Sequence, residues 1–278
     1  MQPQAQRTYC GPVRGVILDW AGTAVDYGSF APVAVFVRLF EQRGVPITPA
    51  DARAGMGLMK KDHLRAILER PAVAAAWRSV YGAPPAERDI NELFAQFVPL
   101  QMSVVQEYAT PVPGLIDAVT ELRKRGVRIG TTTGYLRAMM DILAPAAAAR
   151  GYRPDSIVCP DDVPAGRPAP WMCFQNAMRL GVYPMAALVK VGDTLADIEE
   201  GLNAGMWTVG VTLTSSLLGL TESEVGALTP SERADAHARI GEQLYAVGAH
   251  LVIEGVWDLP RAIDEIEDRI QRGETPTM

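Results

Sequence analysis

Cysteine is scarce: there are three in 278 residues, Cys10, Cys159 and Cys173, and no Cys-x-x-Cys pair. An odd, sparse set excludes a disulfide framework and a zinc site, and predicts buried free thiols in a reducing compartment. Histidine is equally scarce. His63, His237 and His250 stand far apart, so no cluster suggests a transition metal, and the last two read as structural. No apolar run approaches the roughly 20 residues that a membrane span needs. Residues 1–12 are polar and lack the apolar stretch of a secretory signal, which makes the cytoplasm the expected location. Blocks of like charge, internal repeats and low-complexity tracts are all missing. The formal net charge of -6 argues against a nucleic-acid surface, which calls for a basic stripe. What remains is an ordinary globular composition, 48% hydrophobic and 21% charged, long enough for one large domain or a core with an insert.

The apolar pattern divides the chain. Residues 13–18 form a short apolar run ending at Asp19, as expected of a buried strand in a parallel sheet. From about residue 29 to 106 every segment reads as helical. Ser29 is placed to cap a helix with Pro32 in its first turn and Gly44 at its end, and Thr48 with Pro49 and Asp51 signals another start. A third helix is expected over 57–69, stopped by Pro71, and a fourth over 89–108, kinked at Pro99. Strands and helices then alternate: strands near 127–133, 156–159, 188–192 and 207–213, with helices between them. The tail adds helices, a short strand at 251–253 and a last helix with Leu259, Ile263, Ile266 and Ile270 on one face. Such alternation predicts an α/β fold, a Rossmann-like, doubly wound parallel sheet with an inserted all-helical cap. The expected boundaries are 1–25 and 108–278 for the core and 26–107 for the cap.

Ligands of such sheets bind beyond the carboxyl ends of the strands. Those ends carry Asp19, Thr133, Cys159 with Pro160 and Asp161, and Asp193, with Arg167 close by in sequence. Carboxylates at two strand ends can hold Mg²⁺, which prefers oxygen ligands. Taken singly, Asp193 or Asp197 is equally well explained as a helix cap.

Taken together, these segments resemble the haloacid-dehalogenase superfamily and, within it, the phosphonoacetaldehyde hydrolase (phosphonatase) family. Asp19-Trp20-Ala21-Gly22-Thr23 is similar to the first motif of that family, and Gly130-Thr131-Thr132-Thr133-Gly134-Tyr135 to the second. The stretch from Pro160 through Arg167 to Pro168 resembles the third. Val191-Gly192-Asp193-Thr194 with Asp197 resembles the fourth. Met56-Gly57-Leu58-Met59-Lys60-Lys61-Asp62-His63 resembles the insert segment bearing a Schiff-base lysine. The resemblance runs from about residue 13 to the end.

That resemblance implies hydrolysis of the phosphorus–carbon bond of phosphonoacetaldehyde. Asp19 would be the nucleophile that becomes an aspartyl phosphate, Lys60 the imine-forming amine, and Thr133 and Arg167 the holders of the phosphoryl oxygens. Mg²⁺ would sit on Asp19, the Ala21 carbonyl and Asp193, with Asp197 organising the metal shell or Arg167. Ala21, Gly22, Met56, Gly57, Gly134 and Tyr135 are the implied substrate-binding positions. A homodimer contacting through the insert is implied as well.

Two residues have a physical reading of their own. Superfamily phosphatases usually carry an aspartate two places after the nucleophile to protonate a departing alkoxide; Ala21 cannot do so, which fits a carbon leaving group. A carbanion leaves poorly without an electron sink, and a lysine imine with a neighbouring aldehyde supplies one. A helix over 57–69 would put Met56, Lys60 and His63 on one face and Lys61 a quarter turn away. His63 reads either as a proton shuttle or as packing. The alternatives are a phosphate-ester phosphatase or phosphomutase of the same superfamily, or a non-catalytic binding module.

Overall fold

A computed structural model describes residues 8–276; residues 1–7, most of the polar opening segment, lie outside that range. A six-stranded, wholly parallel sheet has the order β3-β2-β1-β4-β5-β6. Its strands are β1 (Gly15–Leu18), β2 (Arg128–Thr132), β3 (Ser156–Val158), β4 (Leu188–Gly192), β5 (Trp207–Val211) and β6 (Leu251–Ile253). The order reverses between β1 and β4, and that switch point opens a crevice at the carboxyl ends of these two strands.

Period-two alternation sends neighbouring β1 residues to opposite faces. Val16 and Leu18 join the larger core with α6 (Leu115–Lys124) and α12 (Leu259–Gln271). Ile17 turns to the other side and packs against Cys173, Ala177 and Leu180 of α8 (Trp171–Leu180). On α12 the expected stripe of Leu259, Ile263, Ile266 and Ile270 is buried. The cysteines divide: Cys159 and Cys173 are buried, but Cys10 is exposed, because its segment carries too little apolar surface to bury it. His237 and His250 are tied to threonine hydroxyls, at 2.8 Å from Thr212 and Thr208, in keeping with structural roles.

Five helices lie between β1 and α6: α1 (Phe30–Gln42), α2 (Pro49–Ala52), α3 (Lys60–Leu68), α4 (Pro71–Tyr81) and α5 (Glu87–Val104). The Thr48 start signal is realised as a capping box with Asp51. Ser29 does not cap α1 with its side chain. It adopts the left-handed region (φ 53°), and the Asp26 carboxylate instead accepts from the amides of Phe30 and Ala31, both at 3.0 Å. The third helix starts three residues later than expected. Gly55 and Gly57 take positive φ in a turn ahead of it, so Met56 is not on the helix and does not share a helical face with Lys60. α5 runs through Pro99 and ends at Val104, after which residues 105–108 tighten into a 3-10 turn.

Candidate active site

Asp19 follows β1 and Asp193 follows β4, so the switch point brings both carboxylates to one crevice. Carboxylate oxygens of Asp19, Asp193 and Asp197 lie within 4.8 Å of one another, and all three residues are buried. Asp193 is gripped by hydroxyls and an amide: Ser216 donates from N–H (2.9 Å) and Oγ (2.7 Å) to Oδ2, and Thr23 Oγ1 donates to Oδ1 (3.1 Å). Gly22 takes φ +87°, and a β-carbon there would lie 2.7 Å from Asp193 Oδ2, so the turn after Asp19 admits only glycine. Burial and the neighbouring charge of Asp19 push the Asp193 carboxyl up to about 8. Two buried carboxylates held this close call for a cation between them. The all-oxygen donor set fits a hard divalent ion such as Mg²⁺.

Asp197 is spent differently. It forms a capping box with Thr194 at the start of α9 (Leu195–Asn203), and its Oδ1 also lies 2.6 Å from Lys190 Nζ and 2.9 Å from Arg167 Nη1. The two cations hold its carboxyl below the usual range against the cost of burial. Capping and charge organisation are therefore both served by one side chain, whereas Asp193 caps nothing. Arg167 Nη2 donates to Asp19 Oδ1 at 2.6 Å, and these charges face each other in a buried pair. Thr133 lies just past β2 and is buried; its Oγ1 accepts from the Tyr135 amide at 3.0 Å. Asp161, at the end of β3, stands apart and accepts from the Arg137 amide. That strand end is turned to capping α7 (Arg137–Ala149).

Lys60 enters from the helical side and is 4% exposed. Its Nζ lies 5.0 Å from the centre of the Tyr135 ring and 5.9 Å from those of Phe36 and Phe97. It has no hydrogen-bond acceptor or carboxylate within bonding distance among the described residues. Burial lowers its pKa to about 8, although Asp19 pulls the other way. Lys61, one residue on, is exposed and lies over Phe94. His63 is fully buried, its ring tilted against that of Phe36 with centroids 4.2 Å apart, and its Nε2 lies 2.9 Å from the Ala52 carbonyl. Nε2 must carry the proton to make that bond, so Nδ1 is a bare acceptor without a partner. Burial and Lys60 push the ring down to about 3.

One cavity is lined by Asp19, Ala21, Met56, Gly57, Lys60, Thr133, Gly134, Tyr135 and Arg167, nine of the residues the sequence points to. Gly22, His63, Asp193 and Asp197 stand behind this lining. Ser29, Pro32, Thr194 and Ser216 join it without having been expected. Residues 57–59 seat the helical insert on the sheet. Gly57, at φ +87°, packs its α-carbon against Thr194, and Met59 Sδ accepts from the Gly166 amide at 3.3 Å. Lys190 and Glu200 also stand at the site, although nothing in the sequence singles them out. Both are fully buried, and Glu200 accepts from Arg167 Nε at 3.0 Å and from Thr132 Oγ1 at 2.9 Å.

A model of haloacid dehalogenase-like hydrolases matches residues 13–205. A phosphonoacetaldehyde hydrolase-like protein of Syntrophobacter fumaroxidans is 52% identical over 96% of this chain and 97% of its own length. The phosphonoacetaldehyde hydrolase of Bacillus cytotoxicus is 52% identical over 92% of this chain and 97% of its own. The crystal structure of a phosphonoacetaldehyde hydrolase-like protein from Oleispira antarctica superposes with a TM-score of 0.96 at 40% identity, covering 99% of this chain and 100% of that one. A β-phosphoglucomutase from Clostridium difficile, at 17% identity and a TM-score of 0.65, shares the fold. The chain belongs to the haloacid dehalogenase-like hydrolases and, among them, to the phosphonoacetaldehyde hydrolase family.

Proposed function

We propose that this protein hydrolyses the phosphorus–carbon bond of phosphonoacetaldehyde to acetaldehyde and phosphate. The observation that carries the reading is Lys60. Its amine lines the same cavity as Asp19, is flanked by the rings of Phe36, Phe97 and Tyr135, and has its pKa lowered to about 8. Neutral amine at pH 7 is then more abundant by a factor of roughly 200 than for a free lysine.

Lys60 condenses with the aldehyde, losing water, to give an imine that makes the adjacent carbon a leaving group. Asp19 attacks phosphorus as the P–C bond breaks, and the electron pair passes into the enamine. Arg167 and Thr133 hold the phosphoryl oxygens as charge shifts between them. Protonation at carbon and hydrolysis release acetaldehyde and free Lys60, and water cleaves the aspartyl phosphate. Ala21 is consistent with a carbon leaving group, since no alkoxide needs a proton. Asp19, Asp193 and the Ala21 carbonyl would hold Mg²⁺, which supplies charge neutralisation for the phosphoryl group; Asp197 orients Arg167. His63 can exchange a proton only through Nδ1, and its depressed pKa suits transient rather than resting protonation. Gly22 and Gly57 allow close backbone approach, and Met56, Gly134 and Tyr135 wall the substrate.

Residues 26–107 serve as the cap and residues 1–25 with 108–278 as the core, and two copies pair through the caps. No helix among the described residues is long and apolar enough to cross a membrane; a cytoplasmic location suits the free thiols. The test is a substrate profile. Phosphonoacetaldehyde should be cleaved at least 1,000-fold faster than phosphate monoesters, and Ala21→Asp should not improve it. A fast, broad phosphomonoesterase would sink the reading.

A further inference from the structure

Arg167 is shared out among oxygen atoms in a way that leaves one part of it free. Nε donates to Glu200 Oε2 at 3.0 Å, and Nη2 donates to Thr132 Oγ1 at 2.7 Å and to Asp19 Oδ1 at 2.6 Å. Nη1 lies 2.9 Å from Asp197 Oδ1 but out of line, so it is buried without a hydrogen-bond acceptor. The Thr132 hydroxyl donates to the same Glu200 oxygen at 2.9 Å. Glu200, Thr132 and the Nε–Nη2 edge of the guanidinium thus close a ring of three hydrogen bonds. Lys190 Nζ sits 3.5 Å from Glu200 and closer, 2.6 Å, to Asp197. Neutralising Lys190 is therefore chiefly the work of Asp197, and Glu200 makes its shorter bonds to Arg167 and Thr132.

The ring matters because Asp19 cannot be a constant anchor. When Asp19 attacks phosphorus its carboxylate charge passes into an acyl phosphate, and Arg167 loses that partner during the reaction. A long side chain then needs a partner that does not react. We propose that Glu200 is the positioning residue that fixes the Arg167 guanidinium, with the Thr132 hydroxyl closing the ring, so that Nη1 and Nη2 meet the phosphoryl oxygens. This rests on the reading of Arg167 as a phosphoryl-binding group.

The test compares Glu200→Gln and Thr132→Val, each alone and with Arg167→Lys. The measurements are kcat/KM for phosphonoacetaldehyde, the inhibition constant of inorganic phosphate, and the melting temperature. Glu200→Gln should lower kcat/KM about 10- to 100-fold, the worth of a hydrogen bond between charged groups, and weaken phosphate by a similar factor. Thr132→Val should shift both several-fold the same way while leaving the buried charges untouched. Added to Arg167→Lys, Glu200→Gln should cost less than about threefold more, because both act through one guanidinium. Full, independent penalties in the double variant, or unchanged phosphate binding in Glu200→Gln and Thr132→Val, would overturn the proposal. If Glu200→Gln does not fold, Thr132→Val decides by phosphate binding alone. Normal phosphate binding by Arg167→Lys would defeat the reading of Arg167 itself; impaired Arg167→Lys beside normal Glu200→Gln would defeat only the ring.

Discussion

At Lys60 two effects oppose each other: burial favours the neutral amine, and the charge of Asp19 favours the ammonium. Burial wins, and the pKa falls to about 8. The rate of imine formation should therefore rise with pH with a midpoint near 8, level off about one unit higher, and lack the climb toward 10.4 that a free lysine would give. Inactivation by borohydride across the pH range measures this; a midpoint near 10 would contradict it. Asp19→Asn should abolish phosphate release yet leave the imine able to form, which separates the two halves of the chemistry in single-turnover assays. Asp19, Thr133 and Asp193 were legible because each stands at a strand end, whereas Lys60 and Arg167 were legible through the resemblance of their segments to the family's motifs. Glu200 and Lys190 were not. Lys190 is one charged residue inside an apolar strand, and Glu200 lies mid-helix, so nothing local distinguishes it from a solvated residue until the fold puts both beside Arg167.

The element that completes the site is the turn before α3, together with its neighbour Arg53. Arg53 Nη1 donates to the carbonyls of Gly28 at 2.8 Å and Ser216 at 3.1 Å, and the amide and hydroxyl of Ser216 hold Asp193. The insert is thus pinned to the loop that holds the Asp193 carboxylate. Arg53→Ala should loosen the closed arrangement, lowering kcat/KM about 10-fold or more and speeding amide exchange over residues 55–59. Unchanged exchange would show that the pin is not holding the lid. Gly57→Ala should fail similarly, because a side chain there meets both a positive φ and Thr194. Helical character throughout 29–106 was legible from periodicity. The late start of α3 was not, because the two left-handed glycines act through backbone geometry rather than hydrophobic spacing. Ser29 misled for a related reason: the better acceptor, Asp26, lies four residues ahead of the helix.

For the molecule as a whole, the alternation of strands and helices foretold a parallel sheet, and the β1–β4 switch point follows from the pairing that long-range packing alone selects. That pairing presses Asp19 and Asp193 together and places a repulsive pair at the centre of the fold. Mg²⁺ at about 100 times its dissociation constant should stabilise the protein by about 2.7 kcal/mol, raising the melting temperature by several degrees over the chelated form. Asp193→Asn should be as stable as, or more stable than, the unmodified protein in chelator, and should lose the Mg²⁺ shift. A Mg²⁺ shift retained in the variant would argue against this site. The central claim, that an amine and a carboxylate on facing walls cut a phosphorus–carbon bond together, is tested most directly by borohydride trapping. Unmodified protein, Lys60→Arg and Lys61→Arg are each incubated with phosphonoacetaldehyde, reduced, digested and weighed by mass spectrometry. The account predicts a reduced two-carbon adduct on Lys60 in the unmodified protein and in Lys61→Arg, with none in Lys60→Arg, which should also release no phosphate. An adduct on Lys61, or an active Lys60→Arg, would contradict it.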